Sequence, residues 1–129
     1  DDEITHSCIK TIAAFLNSNG GKILIGVSDQ GECLGIAKDR FKNNDKFQLH
    51  LTNIIKQSLG ENVFEYLHCK IIPVDENDIC LIECEKSREV IFCKKRGEEE
   101  NVYIRTGPMN TILPPSKLEE YKKIHFGRQ

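Results

Sequence analysis

The sequence has no apolar run approaching the roughly 20 residues that a membrane helix needs, which excludes a helical span. Its first residues, Asp1, Asp2 and Glu3, are acidic, the opposite of a basic signal-peptide start or an arginine-rich transit peptide. It has no Asn-x-Ser/Thr sequon, no internal repeat and no low-complexity linker. It also lacks an excess of positive charge. The formal net charge is −2, so any polyanion would have to be met by a local patch rather than by the whole molecule. At 129 residues the chain is too short for a barrel enzyme or for a dinucleotide fold with its substrate domain. What is present, 39% hydrophobic and 29% charged residues, is the balance of one folded domain spanning 1–129. A chain of this size can bury about two-thirds of its unfolded surface without a disulfide or metal staple. Six cysteines, Cys8, Cys33, Cys69, Cys80, Cys84 and Cys93, lie in apolar segments. With no leader in view they are expected to be reduced, mostly buried thiols in a cytoplasmic protein.

Helical spacing of Ile4, Cys8, Ile12 and Phe15/Leu16 predicts a helix over residues 2–18, ended by Asn19-Gly20-Gly21. The apolar run 22–27 predicts a buried strand. Asp29-Gln30-Gly31 predicts a turn, and 32–36 the returning strand of a hairpin. Phe47, Leu51, Ile54, Ile55 and Leu59 predict a second amphipathic helix over 44–59, stopped by Gly60. Four strands are expected next, over 63–74, 79–84, 90–94 and 102–105, with 94–100 as a solvated hairpin tip. A last helix is expected from Pro115-Ser116. Strands cluster rather than alternate with helices, so the expected class is α+β: one mixed or mostly antiparallel sheet flanked by about three helices.

Familiar chemical signatures are mostly missing. Gly26, Gly31 and Gly35 lack dinucleotide-fingerprint spacing, and Asn19-Gly-Gly-Lys22 follows a helix and precedes a strand, the reverse of a phosphate loop. Cys80 and Cys84 would share a strand face, but about 13 Å apart, too far to ligate one zinc. Cys69 follows His68, and strand neighbours point to opposite faces, so the pair makes no nucleophile and base.

Charge is segregated. Residues 61–89 hold eight acids and three bases, whereas 38–56 and 101–129 each hold five bases and two acids. Convergence of the two positive segments would make a phosphate-binding surface. On charge counts alone, two ordinary solvated helix faces explain them better. Arg105 stands at a strand end beside Thr106-Gly107-Pro108, where its fork can be aimed, or can pair with a nearby glutamate. Asp29 enters a turn, where aspartate is favoured for its own backbone bonds.

The stretch Lys10-Thr-Ile-Ala-Ala-Phe-Leu-Asn-Ser-Asn-Gly-Gly-Lys-Ile-Leu-Ile-Gly-Val-Ser-Asp-Gln-Gly-Glu-Cys-Leu-Gly-Ile36 resembles the Schlafen-type AlbA-like domain family, with its Ala-Phe-x-Asn, Gly-Gly and Gly-Val-x-Asp elements. Val102-Tyr-Ile-Arg-Thr-Gly107 is similar to that family's Tyr-x-Arg-x-Gly strand, and Leu118-Glu-Glu-Tyr121 to its closing helix. The resemblance implies an α+β domain of a longer regulator or defence protein that binds nucleic acid, DNA or RNA. Lys94, Lys95, Arg96, Lys42, Lys46 and Arg105 are the candidate phosphate contacts. In related eukaryotic members the domain forms a metal-dependent endoribonuclease. Asp29 matches the motif's aspartate, whose two glutamate partners lie on a strand that would precede Asp1. Under that nuclease alternative Asp29 would be catalytic and would hold a magnesium or manganese ion, but a lone carboxylate holds a hydrated divalent ion poorly. Binding without catalysis is therefore the leading expectation, with no cofactor. The remainder of the parent protein is the other expected partner. A third reading is an interaction domain that pairs an exposed strand edge within 63–93 with a second copy. No membrane partner is expected.

Overall fold

Ile9, Ile12, Ala13 and Leu16 recur at helical spacing, and all four are fully buried along one side of the first helix, α1 (Asp2–Leu16). The computed structural model describes residues 2–28, 30–32, 35, 44–95 and 97–127, and the side chains of these except 2–5 and 44. After α1 come β1 (Gly21–Ile25), α2 (Asn44–Leu59), a 3₁₀ helix (Glu61–Tyr66), β2 (Leu67–Val74) and β3 (Asn77–Cys84). Then follow β4 (Cys93–Lys94), β5 (Glu100–Thr106), β6 (Met109–Leu113) and α3 (Pro115–His125). The class is α+β with antiparallel strand pairing, as expected.

The strands divide differently from expectation. Among the described residues they form two three-stranded sheets, ordered β1-β3-β2 and β4-β5-β6, rather than one. The cause lies in residues 85–92, which leave the first sheet and spend their backbone bonds elsewhere. After a last bond from Glu85 N–H to Tyr66 O at 2.9 Å, which continues the β2–β3 register, Ser87 N–H donates to Leu16 O at 2.9 Å and Ile91 N–H to the Asn17 side chain at 2.8 Å. The strand expected over 90–94 therefore shrinks to Cys93–Lys94. The strand expected over 63–74 begins only at Leu67. Val63 and Tyr66 are both buried, and a three-residue turn puts them on one side, so the segment before Leu67 coils to deliver them to the core. β6 was not expected. It pairs with β5 through the two-residue turn Gly107-Pro108, with Thr106 opposite Met109 and Gly107 at φ 59°, the positive value a II′ hairpin turn requires at its first position. Of the expected 32–36 return strand, only parts are described. Ser28 N–H donates to Glu32 O at 2.8 Å and Gly35 N–H to Gly26 O at 3.0 Å.

One core serves both sheets. Phe47, Leu51, Ile55 and Leu59 of α2 join α1, the inner face of β3 (Cys80, Ile82, Cys84), and Cys93 and Tyr103 of the second sheet in one buried cluster. Cys80, Cys84 and Cys93 are buried, Cys8 is half-buried and Cys69 exposed, and all five thiols are free. Burial pushes Cys8 up to about 11, and Cys80 and Cys84 up to about 12, so these thiols stay protonated and inert near neutral pH. Cys33 lies outside the described residues. Among the described residues no helix is long and apolar enough to cross a membrane.

Candidate nucleic-acid interface

The turn after α1 organises everything around it. Asn17 is fully buried. Its amide group donates to Ile91 O and Tyr103 O, both at 2.9 Å, and its Oδ1 accepts from Ile91 N–H. Its backbone carbonyl accepts from the Tyr121 hydroxyl at 2.6 Å, tying down α3. Ser18 Oγ accepts from Arg105 N–H at 2.9 Å. The Phe15-Leu16-Asn17 motif is therefore a joint that aligns the 85–92 segment, β5 and α3. Gly20, at φ 77°, closes the joint by donating to Phe15 O. A Cβ there would sit 2.6 Å from the Cys84 carbonyl oxygen.

Arg105 is held beside this joint. Its Nη1 donates to Asn110 Oδ1 at 2.7 Å, its cross-strand neighbour, and its guanidinium lies 5.1 Å from the Phe15 ring centre. Asn110 Nδ2 in turn donates to Thr11 Oγ1 at 2.9 Å. Among the described residues Arg105 has no carboxylate partner, so the expected choice between an aimed fork and a glutamate pair resolves to a fork aimed by an amide and a ring.

Lys94 and Lys95 lie at the other end of the second sheet. Lys94 pairs with Glu100, and Arg105 stands five positions further along β5, about 17 Å away. Lys94 is exposed, and Lys95 sits 3.9 Å from Glu98 across the hairpin tip. Lys46 is exposed in the first turn of α2. Asp29, Lys42 and Arg96 lie outside the described residues. The structure thus brings Lys94 and Lys95 together and sets Arg105 apart. Lys46 stands ten positions before Lys56, the α2 lysine that shares a cleft with Lys94, about 15 Å along the helix.

What Lys94 does join is a cleft of about 430 Å³ between the end of α2 and the 89–94 segment, with Lys56, Leu59 and Phe92 in its walls. Alternation places Ile91 and Cys93 in the core and turns Phe92 and Lys94 outward on one face. Phe92 is 43% exposed. A second cleft of about 620 Å³ lies against the first and shares Asn62, Glu89 and Val90 with it. Arg88, Lys122 and Lys123 line it, beside Tyr66 and Phe126. Arg88 is bound to Glu65 at 3.0 Å, Lys122 to Glu119 at 3.8 Å, and Lys56 to Glu61 at 3.2 Å, all on the surface. Exposed pairs of this kind are weak and can exchange partners. Sequence reading missed Phe92, because it sat inside an expected strand. The signal available was the in-out alternation of residues 91–94. Of the positive segments expected to converge, the α2 end supplies Lys56 and α3 supplies Lys122 and Lys123, on neighbouring clefts. Among the described residues no group of three His, Cys, Asp or Glu side chains is placed to hold a metal ion.

A solved structure of the DIP2311 protein from Corynebacterium diphtheriae is similar, with a TM-score of 0.68 over 99% of this chain at 15% identity. That identity speaks for the fold alone, and the chain spans 23% of that protein's length. No curated protein matches the chain. The family model described as Schlafen, AlbA_2 matches residues 1–114, ending before α3, so the Leu118–Tyr121 resemblance falls outside the match. The matched part contains the Asn17 joint, both sheets and the Tyr103-Ile-Arg105 strand, and the chain accordingly belongs to the Schlafen AlbA_2 family.

Proposed function

We propose that the chain is a nucleic-acid-binding domain of a longer regulator or defence protein, and that its contact surface is the double cleft around Lys94. The observation that carries this reading is the outward face of residues 92–94, where the exposed Phe92 ring shares one cleft with Lys94 of β4 and Lys56 of α2. Lysines at a cleft rim neutralise phosphates, and each phosphate neutralised releases counterions. Lys95 follows Lys94 in the chain, while Lys46 and Arg105 would serve a ligand long enough to pass beyond the cleft; Lys42 and Arg96, outside the described residues, are proposed as phosphate contacts from the sequence alone. The partners on this reading are DNA or RNA and the remainder of the parent chain. Pairing of strand edges with a second copy is disfavoured, because the edge strand β2 carries an exposed Lys70 and an exposed Pro73, which supplies no amide.

Anisotropy titrations with labelled DNA and RNA at two salt concentrations test the reading. Affinity should fall with added salt, and the double substitution Lys56→Glu/Lys94→Glu should weaken binding about tenfold and flatten the salt slope. No binding at low salt, or binding without a salt slope, would remove the proposal.

A further inference from the structure

We infer that the ligand of the double cleft is an unpaired, single-stranded segment rather than a duplex. This rests on the nucleic-acid-binding reading and narrows it.

Among the described residues, Phe92 is the most exposed phenylalanine or tyrosine, with Phe15, Phe64 and Tyr121 half-buried. Tyr66, Tyr103 and Phe126 are buried, and the buried neighbours Ile91 and Cys93 fix the strand so that the Phe92 ring cannot turn into the core. A ring left in water beside two lysines has a use for a flat partner, and an unpaired base is one. Bases in a duplex are stacked on each other and present no face to a protein ring.

The charges point the same way. Across the two clefts the cations are Lys56, Arg88, Lys94, Lys122 and Lys123, and the carboxylates are Glu65, Glu89, Glu100 and Glu119. Sequence-independent duplex binding comes from phosphate neutralisation. Five cations facing four carboxylates supply little of that. A ligand whose affinity comes in part from stacking does not need a strongly positive surface. The clefts also adjoin at Asn62, Glu89 and Val90, which line both, so a flexible strand seated on Phe92 has Arg88 and Lys123 in the neighbouring cleft. A rigid duplex cannot bend into two adjoining clefts of this size without a deformation cost.

The test uses oligo-dT and oligo-U strands of about 15 nucleotides and a duplex of about 15 base pairs, titrated against the wild-type chain and against Phe92→Leu and Phe92→Tyr. Both single strands should bind at least about tenfold more tightly than the duplex. Phe92→Leu should weaken the single strands about tenfold and leave the duplex unchanged, and Phe92→Tyr should restore single-strand binding to within about twofold of wild type. Phe92 is a surface residue, so unchanged thermal unfolding is expected for both variants. Equal affinity for strand and duplex, or single strands indifferent to Phe92→Leu, would overturn this inference while leaving the binding function standing. Failure of every nucleic acid to bind at low salt would overturn both.

Discussion

Asn17 has no solvent contact, yet its side chain completes three hydrogen bonds to the main chain of residues 91 and 103. Replacing it with alanine leaves one buried N–H and two buried carbonyls unpaired, each costing about 1–3 kcal/mol. Asn17→Ala should therefore lower the unfolding free energy by about 3 kcal/mol or more, read from the midpoint of urea denaturation. The buried thiols make a second residue-level case. Cys80 and Cys84 have an ordinary value of 9.0 and are held to about 12 in the folded chain, chiefly by burial. In the unfolded chain they ionise first as pH rises, so their contribution to stability is whole below about pH 9 and is lost progressively toward pH 12. The melting temperature should fall steadily above pH 9. In Cys80→Ala/Cys84→Ala the starting value should be lower, because two cavities open, but the decline with pH should be shallower. Burial also pushes up the Tyr121 hydroxyl, which leaves a residual decline of the same sign. Parallel curves for the two proteins would show that these thiols do not couple to folding.

At the level of elements, two glycines with similar backbone signs do different work. Gly20 sits at φ 77° with the Cys84 carbonyl oxygen 2.6 Å from where a Cβ would stand, whereas Gly107 sits at φ 59° with nothing within 4 Å. Alanine at Gly107 meets no clash and should cost only the backbone penalty of the first II′ position, about 1–3 kcal/mol. Alanine at Gly20 must also push the end of β3 away from the α1 turn, and should cost at least about 2 kcal/mol more. Equal midpoints for the two variants would mean the β3 end gives way freely. This difference marks what could be read from the sequence. α2 was legible to the residue, since its apolar stripe and Gly60 stop are local signals. So was the start of the last helix at Pro115, whereas α1, expected to run to residue 18, ends at Leu16, where Asn17 and Ser18 give their side chains to the main chain of residues 91, 103 and 105. The division into two sheets was not legible, because it depends on Asn17 capturing residue 91 across 74 positions of chain. β6 was missed because Met109-Asn-Thr-Ile-Leu113 is defined by its partner β5 and by the Gly107-Pro108 turn, not by a strong alternation of its own. At the candidate interface the lysines were legible as charge, and Phe92 was not, since its exposure follows from the crossing of residues 85–92 between sheets.

For the whole molecule, the question is whether two sheets make two units or one. The second sheet has few buried side chains of its own, chiefly Cys93, Val102 and Tyr103. Three strands need an apolar cover to persist, and here α1 supplies it while also covering the inner face of the first sheet. Neither sheet keeps a core without α1, so both should open together. Native-state hydrogen exchange tests this directly. Amides at the centre of β3, around Ile82, and of β5, around Tyr103, should show the same highest protection in the wild-type chain. Asn17→Ala should then lower both by the same amount, although every side-chain bond it deletes goes to the second sheet or the segment leading into it. If β5 amides alone lost protection while those of β3 kept theirs, the sheets would be separately stable and the groove between α2, α3 and residues 88–94 would sit on a hinge. Equal loss means instead that the groove is carried by one rigid body, and that Phe92 and the cleft lysines would meet the proposed ligand in positions set before it arrives.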